Sequence, residues 1–402
     1  MLESLAARLK GQRVLVLGGS GVIGSRFVEV LAEAGVDVAA LVRKLSRAVR
    51  IARYPVELIQ GDVTDEELLR RSMAGRDVVV DLTFPKEGDP RQRREAARRM
   101  ARSIGTAAKD LAVRRVVHLS TISVYGRPAG RTLDERSSRS PGRDAYGASK
   151  LVGESEMLRL HRERGLAVVV LQPTIVYGPF TGWSTGPLSQ LSRGRFVLPD
   201  DGTGACNAVY LDDVVQAILL AAVVDGIEGE VLLISAGSAV TWKEFYGAYE
   251  AMLGFESTHS MSEREILAEL ARRGRRNRPS SRLIQALKRD AQLRQMVLAL
   301  PVLAQGYRVM QQLTTRSRMA DIKDRLLNRT PASNARSRKP LVFPTLAQMA
   351  VYASRAEVSV QRARDRLGYS PQYGLQRGMA LTRAWAEWAR LLPPPGSAGS
   401  GS

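Results

Sequence analysis

Residues 14–24 read Val14-Leu-Val-Leu-Gly-Gly-Ser-Gly-Val-Ile-Gly24: an unbroken apolar run, a glycine cluster, then the start of a helical pattern. Four apolar residues in succession suit a strand buried on both faces. Glycines at 18, 21 and 24 let a backbone pass close to a diphosphate, whose charge then sits at a helix N-terminus. Gly18, Gly21 and Gly24, with backbone donors from Ser20, Val22 and Ile23, are therefore expected to hold the pyrophosphate of a dinucleotide. A lone glycine cluster is often a turn without a ligand. Here the strand before it, the helix after it and a second strand-like run at 36–42 support the cofactor reading.

Working outward, apolar strand-like runs at 13–17, 36–42, 56–59, 77–82, 115–119, 166–171 and 230–234 alternate with helical patterns near 22–34, 65–73, 91–111 and 145–164. Such alternation predicts an α/β fold: a Rossmann-type, doubly wound parallel sheet covered by helices on both faces. The dinucleotide-binding domain is expected over 1–172, with 206–240 returning to it. A smaller C-terminal substrate lobe is expected from 173–205 and 241–392. The Gly-, Pro- and Ser-rich stretch 173–205 reads as loops, and 257–340 reads as a basic, mostly helical insertion. Residues 393–402 read as a flexible tail.

The 44% hydrophobic content is ample for a large core. One cysteine, Cys206, excludes an internal disulfide and fits a reducing, cytoplasmic compartment. Met1 to Gly11 is amphipathic and charged rather than a signal peptide. The stretch Met296 to Ala304 contains Pro301 and is too short to cross a bilayer. The net charge of +20 is unevenly spread: 257–340 carries 19 Lys/Arg against 6 Asp/Glu, and Arg91, Arg93, Arg94, Arg98, Arg99 and Arg102 form a second dense run. Three readings fit the insertion: solvated helices that enlarge the lobe, a lid whose arginines bind an anionic substrate, or a peripheral contact with an anionic membrane surface. Nucleic-acid binding has only the charge in its favour, since aromatics are 5% of the chain.

The second informative motif is Tyr146-Gly-Ala-Ser-Lys150, which puts a phenol and an ammonium one helical turn apart on one face. A free phenol, with a pKa near 10, is a poor acid or base at neutral pH. A lysine one turn along, together with the positive nicotinamide ring, stabilises the phenolate and lowers that value. Tyr146 is thus expected to exchange a proton with a substrate oxygen while a nicotinamide exchanges hydride, with Lys150 as its partner. Ser120 and Thr121 follow strand 115–119, where ligands bind in such folds, and one of them is expected to polarise the same oxygen. Strand 36–42 ends in Leu41-Val42-Arg43-Lys44 without a carboxylate, which favours NADP over NAD through Arg43. Asp62 is placed to meet adenine, or else to serve the start of the next helix. Val63, Leu82, Ser120, Tyr146 and Lys150 are the further expected cofactor contacts, with Lys150 also holding the nicotinamide ribose. No metal site is expected.

On these motifs the chain resembles an extended short-chain dehydrogenase/reductase of the NAD-dependent epimerase/dehydratase family. The matching segments include Leu119-Ser-Thr-Ile-Ser-Val-Tyr-Gly126, Gln172-Pro-Thr-Ile-Val-Tyr-Gly-Pro179, Val209-Tyr-Leu-Asp-Asp213 and Ala363-Arg-Asp-Arg-Leu-Gly-Tyr-Ser-Pro371. The resemblance implies that Thr121 is the catalytic hydroxyl, Tyr146 the acid/base and Lys150 its partner, with Pro173 bordering the nicotinamide. It also makes helix pairing into a homodimer an expectation. Three departures stand out. Ile122 and Ser123 replace an Asp-Glu pair that dehydration needs. Ala205-Cys-Asn-Ala208 lacks an arginine that many nucleotide-sugar members use to grip a diphosphate. Ala97 stands where the family often has an asparagine. The sequence therefore predicts an NAD(P)-dependent oxidoreductase or epimerase on a hydroxyl or keto group of a sugar or sugar nucleotide. The alternatives are a reductase or dehydrogenase of a steroid-like, terpenoid or polyketide alcohol, and a non-catalytic dinucleotide-binding scaffold or nucleic-acid binder.

Overall fold

A computed structural model of the 402-residue chain describes residues 1–128, 130–142, 144–276 and 340–393. Most of the basic insertion, including the run Met296 to Ala304, and the tail from 394 lie outside the described residues. So does the surface on which membrane contact or a lid was expected.

Short helix α1 (Leu2–Ala6) precedes β1 (Arg13–Leu17), α2 (Val22–Glu33), β2 (Asp37–Val42), β3 (Glu57–Gln60), α3 (Glu66–Met73), β4 (Val78–Asp81), α4 (Pro90–Asp110) and β5 (Arg115–Leu119). Strand β6 (Thr132–Leu133), helix α5 (Ala145–Arg164) and strand β7 (Val168–Pro173) follow. Next come β8 (Ile175–Tyr177), α6 (Gly182–Arg193), β9 (Arg195–Pro199), β10 (Ala205–Cys206), β11 (Ala208–Tyr210), α7 (Leu211–Val223) and β12 (Val231–Ile234).

The seven expected strands form one parallel sheet in the order β12-β7-β5-β4-β1-β2-β3, with ends shifted by one or two residues. The chain reverses direction across the sheet between β1 and β4, which opens a crevice at their C-terminal ends. Alternation along β1 divides the core. Val14 and Val16 pack with Phe27 and Ile218 on the face of α2 and α7, while Leu15 and Leu17 pack with Met73, Ile104 and Met157 on the face of α3, α4 and α5. Each fully buried Val, Leu or Ile contributes about 1.5–3 kcal/mol. A methyl group at Gly105 would stand 2.5 Å from Leu160 Cδ1, so glycine is what lets α4 lie close against α5.

The second hydrophobic centre is aromatic. Strand β13 (Val240–Thr241) leads into helix α8 (Trp242–Leu253), which brings Trp242, Phe245, Tyr246 and Tyr249 against Phe196 and Tyr352, with the Phe196 and Tyr246 rings stacked at 4.8 Å. The stretch read as loops, 173–205, instead contains β8, β9 and helix α6. Pro187 and two glycines mask the helix in composition, but Ser184, Pro187, Leu188 and Leu191 are buried along one side of it. The stretch 257–340 also opens differently from expectation. Strand β14 (Thr258–Met261) pairs in parallel with β9, which also pairs with β15 (Leu341–Val342), and α9 (Glu263–Arg276) buries Ile266 in a small apolar cluster. Both ends of that stretch are thus tied to the lobe by β9. Among the described residues no helix is long and apolar enough to cross a membrane.

Candidate active site

A cleft of about 530 Å³ runs from the glycine turn after β1 to the aromatic centre around Trp242. Gly18, Gly21, Val22, Ile23, Gly24, Leu82, Ser120, Thr121, Tyr146, Lys150 and Pro173 all line it. These come from five separate stretches that the sheet's C-terminal edge collects. At the glycine turn, Gly18 has φ +83°, a left-handed conformation that favours glycine, and its carbonyl accepts from Gly21 N–H at 3.0 Å. Gly21 caps α2 without a side chain, so the amides of Val22, Ile23 and Gly24 face outward from the helix start. A Cβ on Gly24 would stand 2.5 Å from Gly18 O. Gly24→Ala should therefore force the turn away from the helix, costing about 1–3 kcal/mol of stability and weakening NADH and NADPH binding together. Isothermal titration would check the affinity, and unchanged binding would show that the turn has room to spare.

The four remaining expected cofactor residues do not line this cleft. Ser20 lies on the turn itself. Arg43 is exposed at the end of β2, and Val63 is buried after β3. Asp62 accepts from the Thr64 amide at 3.0 Å and hydroxyl at 2.8 Å, so its carboxylate is engaged in the local turn before α3.

Tyr146 is placed by the start of α5. Asp144 caps the helix by accepting from Tyr146 N–H at 3.0 Å. A Cβ on Gly147 would stand 2.4 Å from Ser123 O, so only glycine allows α5 this close to the turn carrying Thr121. Thr121 thereby stands beside Tyr146 in the cleft, and its hydroxyl favours the ionised phenol. Ser120 is committed elsewhere: its hydroxyl donates to Glu154 at 2.6 Å. Glu154 is fully buried, accepts from Gln172 at 2.8 Å and pairs with Arg139 at 2.8 Å, while Tyr125 donates to Gln172 at 2.8 Å. This network fixes the floor under Thr121. Glu154 lies one turn beyond Lys150 on the same helix face, which is the only signal in the sequence that could have found it.

Lys150 is 5% exposed and donates to the backbone carbonyls of Leu119 at 2.6 Å and Thr83 at 3.0 Å. Burial lowers its pKa to about 8, against the opposing charges of Asp81 and Glu154. Tyr146 is pushed up to about 12, first by burial around its hydroxyl and then by the Asp144 charge, with the Thr121 hydrogen bond working the other way. Phe84, which follows β4, packs against both groups. Its ring meets Tyr146 edge-on at 5.3 Å and lies 5.5 Å from Lys150 Nζ.

Beyond Thr121 the wall is apolar: Ile122, Leu133, Ile175, Val176, Trp183, Trp242 and Ala356. Asn207 lines it too, but its amide is occupied, donating to Ala356 O and accepting from Val358 N–H, both at 2.8 Å. Among the described residues the charged side chains lining the cleft are Lys86 and Lys150.

This geometry agrees with what the chain resembles. It is 29% identical over 244 residues to a 4-hydroxy-2-methyl-3-oxo-4-farnesyl-3,4-dihydroquinoline-1-oxide ketoreductase from Stigmatella aurantiaca, covering 58% of this chain and 71% of that one. It is 32% identical over 187 residues to a dTDP-glucose 4,6-dehydratase from Streptomyces niveus, covering 42% of this chain and 55% of that protein. The match thus spans about half of the dehydratase's length. The fold is similar to that of DesIV, a dTDP-glucose 4,6-dehydratase from Streptomyces venezuelae solved with NAD bound (TM-score 0.63, 21% identity, 94% of this chain and 98% of that one). Residues 14–235, more than half of the chain, match the NAD dependent epimerase/dehydratase family, and the protein belongs to that family of NAD(P)-dependent enzymes.

Proposed function

We propose that this protein is an NAD(P)-dependent reductase or dehydrogenase that interconverts a ketone and an alcohol on a largely apolar substrate. The observation that carries this reading is the lining of the cleft: a proton-transfer pair in its middle, aromatic and aliphatic walls beyond it, and no arginine among the described residues that line it. A nucleotide sugar brings a diphosphate, whose burial needs paired cations or amides. The apolar alternative to a sugar substrate is thus the better supported one. The name of the ketoreductase relative, with its farnesyl-bearing ring, points the same way.

The cofactor fits what is present. The glycine turn and the outward amides of α2 suit a pyrophosphate, and Leu82, Ser120 and Pro173 border the cleft between that turn and Tyr146. When bound, the nicotinamide supplies or accepts hydride. Tyr146 gives its proton to the substrate oxygen in reduction and takes it back in oxidation. Thr121 polarises that oxygen and stabilises the phenolate by donating to it, and Lys150 supplies the positive charge that makes a phenolate tolerable. The apolar walls exclude water and hold the substrate's body by burial.

The deciding experiment follows NADPH and NADH oxidation with steroid, terpenoid and polyketide ketones beside UDP- and dTDP-sugars. Turnover of apolar ketones alone is the expected result; turnover restricted to the nucleotide sugars would sink this reading in favour of an epimerase. The NADP preference rests on Arg43, exposed at the end of β2 without a neighbouring carboxylate in Leu41-Val42-Arg43-Lys44. Arg43→Glu should weaken NADPH by about 10–100-fold, the loss of one charge-assisted contact and gain of a repulsion, while NADH changes little. Equal losses for both would remove the preference.

A further inference from the structure

The C-terminal helix Leu375–Trp388 turns one side into the lobe, burying Gly378, Met379, Thr382 and Ala386. Its outer side carries a second apolar stripe at helical spacing, Leu381, Ala384 and Trp388, continued by Leu391 just past the helix end. Leu381 is 44%, Trp388 75% and Leu391 43% exposed. Phe180, 42% exposed, widens the stripe: its ring lies 5.2 Å from that of Trp385 on the same helix, and Arg50 stands over it at 4.6 Å. Of the ten large apolar side chains exposed among the described residues, four are these. Such a cluster on a protein surface marks a contact. Two of its residues also hold a backbone conformation that side chains disfavour, Phe180 at φ +65° and Arg390 at φ +54°. Arg390 stands where glycine is usual after a helix: its N–H donates to Glu387 O at 3.0 Å, and that of Leu391 to Ala386 O at 2.9 Å.

We propose that this face docks on an anionic lipid bilayer, with Phe180, Leu381, Trp388 and Leu391 entering the headgroup boundary and the helix arginines meeting the lipid charge. Charge selects the occupant. Arg377, Arg383 and Arg390 accompany the stripe against one carboxylate, Glu387. Arg383 pairs with Glu387 at 2.9 Å, whereas Arg377 and Arg390 form no ion pair among the described residues. The chain as a whole is +20. A second copy would lay one arginine-flanked patch on another, and like charges brought together are penalised. The residues that follow, 394–402, are Pro, Gly, Ser and one Ala, with no side chain large enough to cover a tryptophan. Negative headgroups above acyl chains satisfy the arginines and the apolar stripe together, and an indole suits that boundary. This surface is distinct from the 257–340 stretch on which membrane contact was expected from charge. It adjoins the cleft, because Phe180 and Trp183, which lines the outer wall, belong to one short segment. An apolar ketone held in the bilayer would then meet the enzyme beside its site. That consequence rests on the reductase reading; the docking itself does not.

The test mixes the full-length protein with vesicles of equal parts phosphatidylcholine and phosphatidylglycerol, and with vesicles of phosphatidylcholine alone. Sedimentation should show binding to the first that weakens with added salt, and little binding to the second. Spin-labelled acyl chains should quench the fluorescence of Trp388, one of four tryptophans in the chain, and Trp388→Phe should remove most of that quenching. Trp388→Ser should weaken vesicle binding by about tenfold, through lost apolar burial. Arg390→Gly should weaken it by about fivefold, the share of one cation near the surface. The same change should raise the thermal midpoint, since glycine adopts this left-handed conformation freely. A merely structural arginine would give the stability gain without the loss of binding. Unchanged affinity in both variants overturns the proposal and places any vesicle binding elsewhere on the chain; so does failure to bind the anionic vesicles. In dilute, lipid-free protein Trp388 should be open to acrylamide. Its protection there would overturn the proposal in favour of cover by another part of the chain, and protection that grows with protein concentration in favour of a second copy. No step of the test needs turnover, so failure of the reductase reading and failure of the docking are told apart.

Discussion

Tyr146→Phe should abolish ketone reduction while leaving NADPH affinity within about twofold of wild type. The Tyr146 phenol and Thr121 line the same cleft, with the Thr121 hydroxyl favouring the ionised phenol. Loss of a general acid costs about 10²–10⁴-fold in rate. The upper end is expected here because Thr121 cannot substitute: a hydroxyl of its kind polarises an oxygen but does not carry a proton reversibly near neutral pH. On the proposed reading the glycine turn and the start of α2 grip the cofactor's pyrophosphate, and the aromatic ring retained by phenylalanine keeps its edge-on contact with Phe84. Stopped-flow hydride transfer would separate the two quantities. Turnover within tenfold of wild type would mean that Tyr146 only lines the cleft. A loss of cofactor affinity equal to the loss of rate would mean that it binds rather than reacts.

Lys150→Met should be nearly inactive and yet no less stable near neutral pH. The drop of Lys150 from 10.5 to about 8 means that the fold disfavours the buried ammonium, by about 3 kcal/mol. That cost is fully present below pH 8, where Lys150 is charged in both states. It fades as pH rises toward 10.5, where the unfolded chain's lysine also loses its proton. Methionine removes the penalty but leaves the Thr83 and Leu119 carbonyls without their donor, a loss of about 1–3 kcal/mol that offsets much of the gain. Denaturant titrations should therefore show the variant matching or exceeding wild type at pH 7, and the difference moving toward wild type by pH 10. The kinetic sign is the opposite of the stability sign. Wild-type kcat/KM for reduction should fall as pH rises through about 8 and Lys150 loses its charge, and the variant should show no such limb. A variant that is both active and less stable at pH 7 would make Lys150 an ordinary buried lysine.

Much of the fold is legible in the residues themselves. Runs such as Val78-Val-Val80 and Val168-Val-Val170 are apolar at every position because both faces of the sheet are covered. Most strands of that sheet could be read for this reason, whereas β3, Glu57–Gln60 at the edge, is only partly buried. The helix α6 could not, because its burial is one-sided and its composition, with Gly182, Gly186 and Pro187, favours a loop until Leu188 and Leu191 meet the aromatic centre. The strand β14 was hidden likewise, since Thr258-His-Ser-Met261 has no apolar pattern and becomes a strand by pairing with β9.

The same division runs through the candidate site. Chain-local chemistry is written in the sequence: the glycine turn depends on neighbours a few residues apart, and Tyr146 and Lys150 are one helical turn from each other. Their place on one sheet edge, beside Thr121, follows from strand and helix periodicity. What surrounds them is set by residues far apart in the chain. Phe84 packs against both Tyr146 and Lys150, Asp81 and His118 line a cavity that Lys150 also borders, and Trp183 and Trp242 build the outer wall. Burial, electrostatic coupling and cavity shape depend on which side chains the parallel sheet and the lobe bring within a few ångströms of one another. By itself, then, the sequence determined the glycine turn between β1 and α2 and the one-turn spacing of Tyr146 and Lys150. Only the tertiary structure decided how that pair is charged, what stands behind it and how apolar its surroundings are, because those properties belong to packed neighbours and not to the motifs.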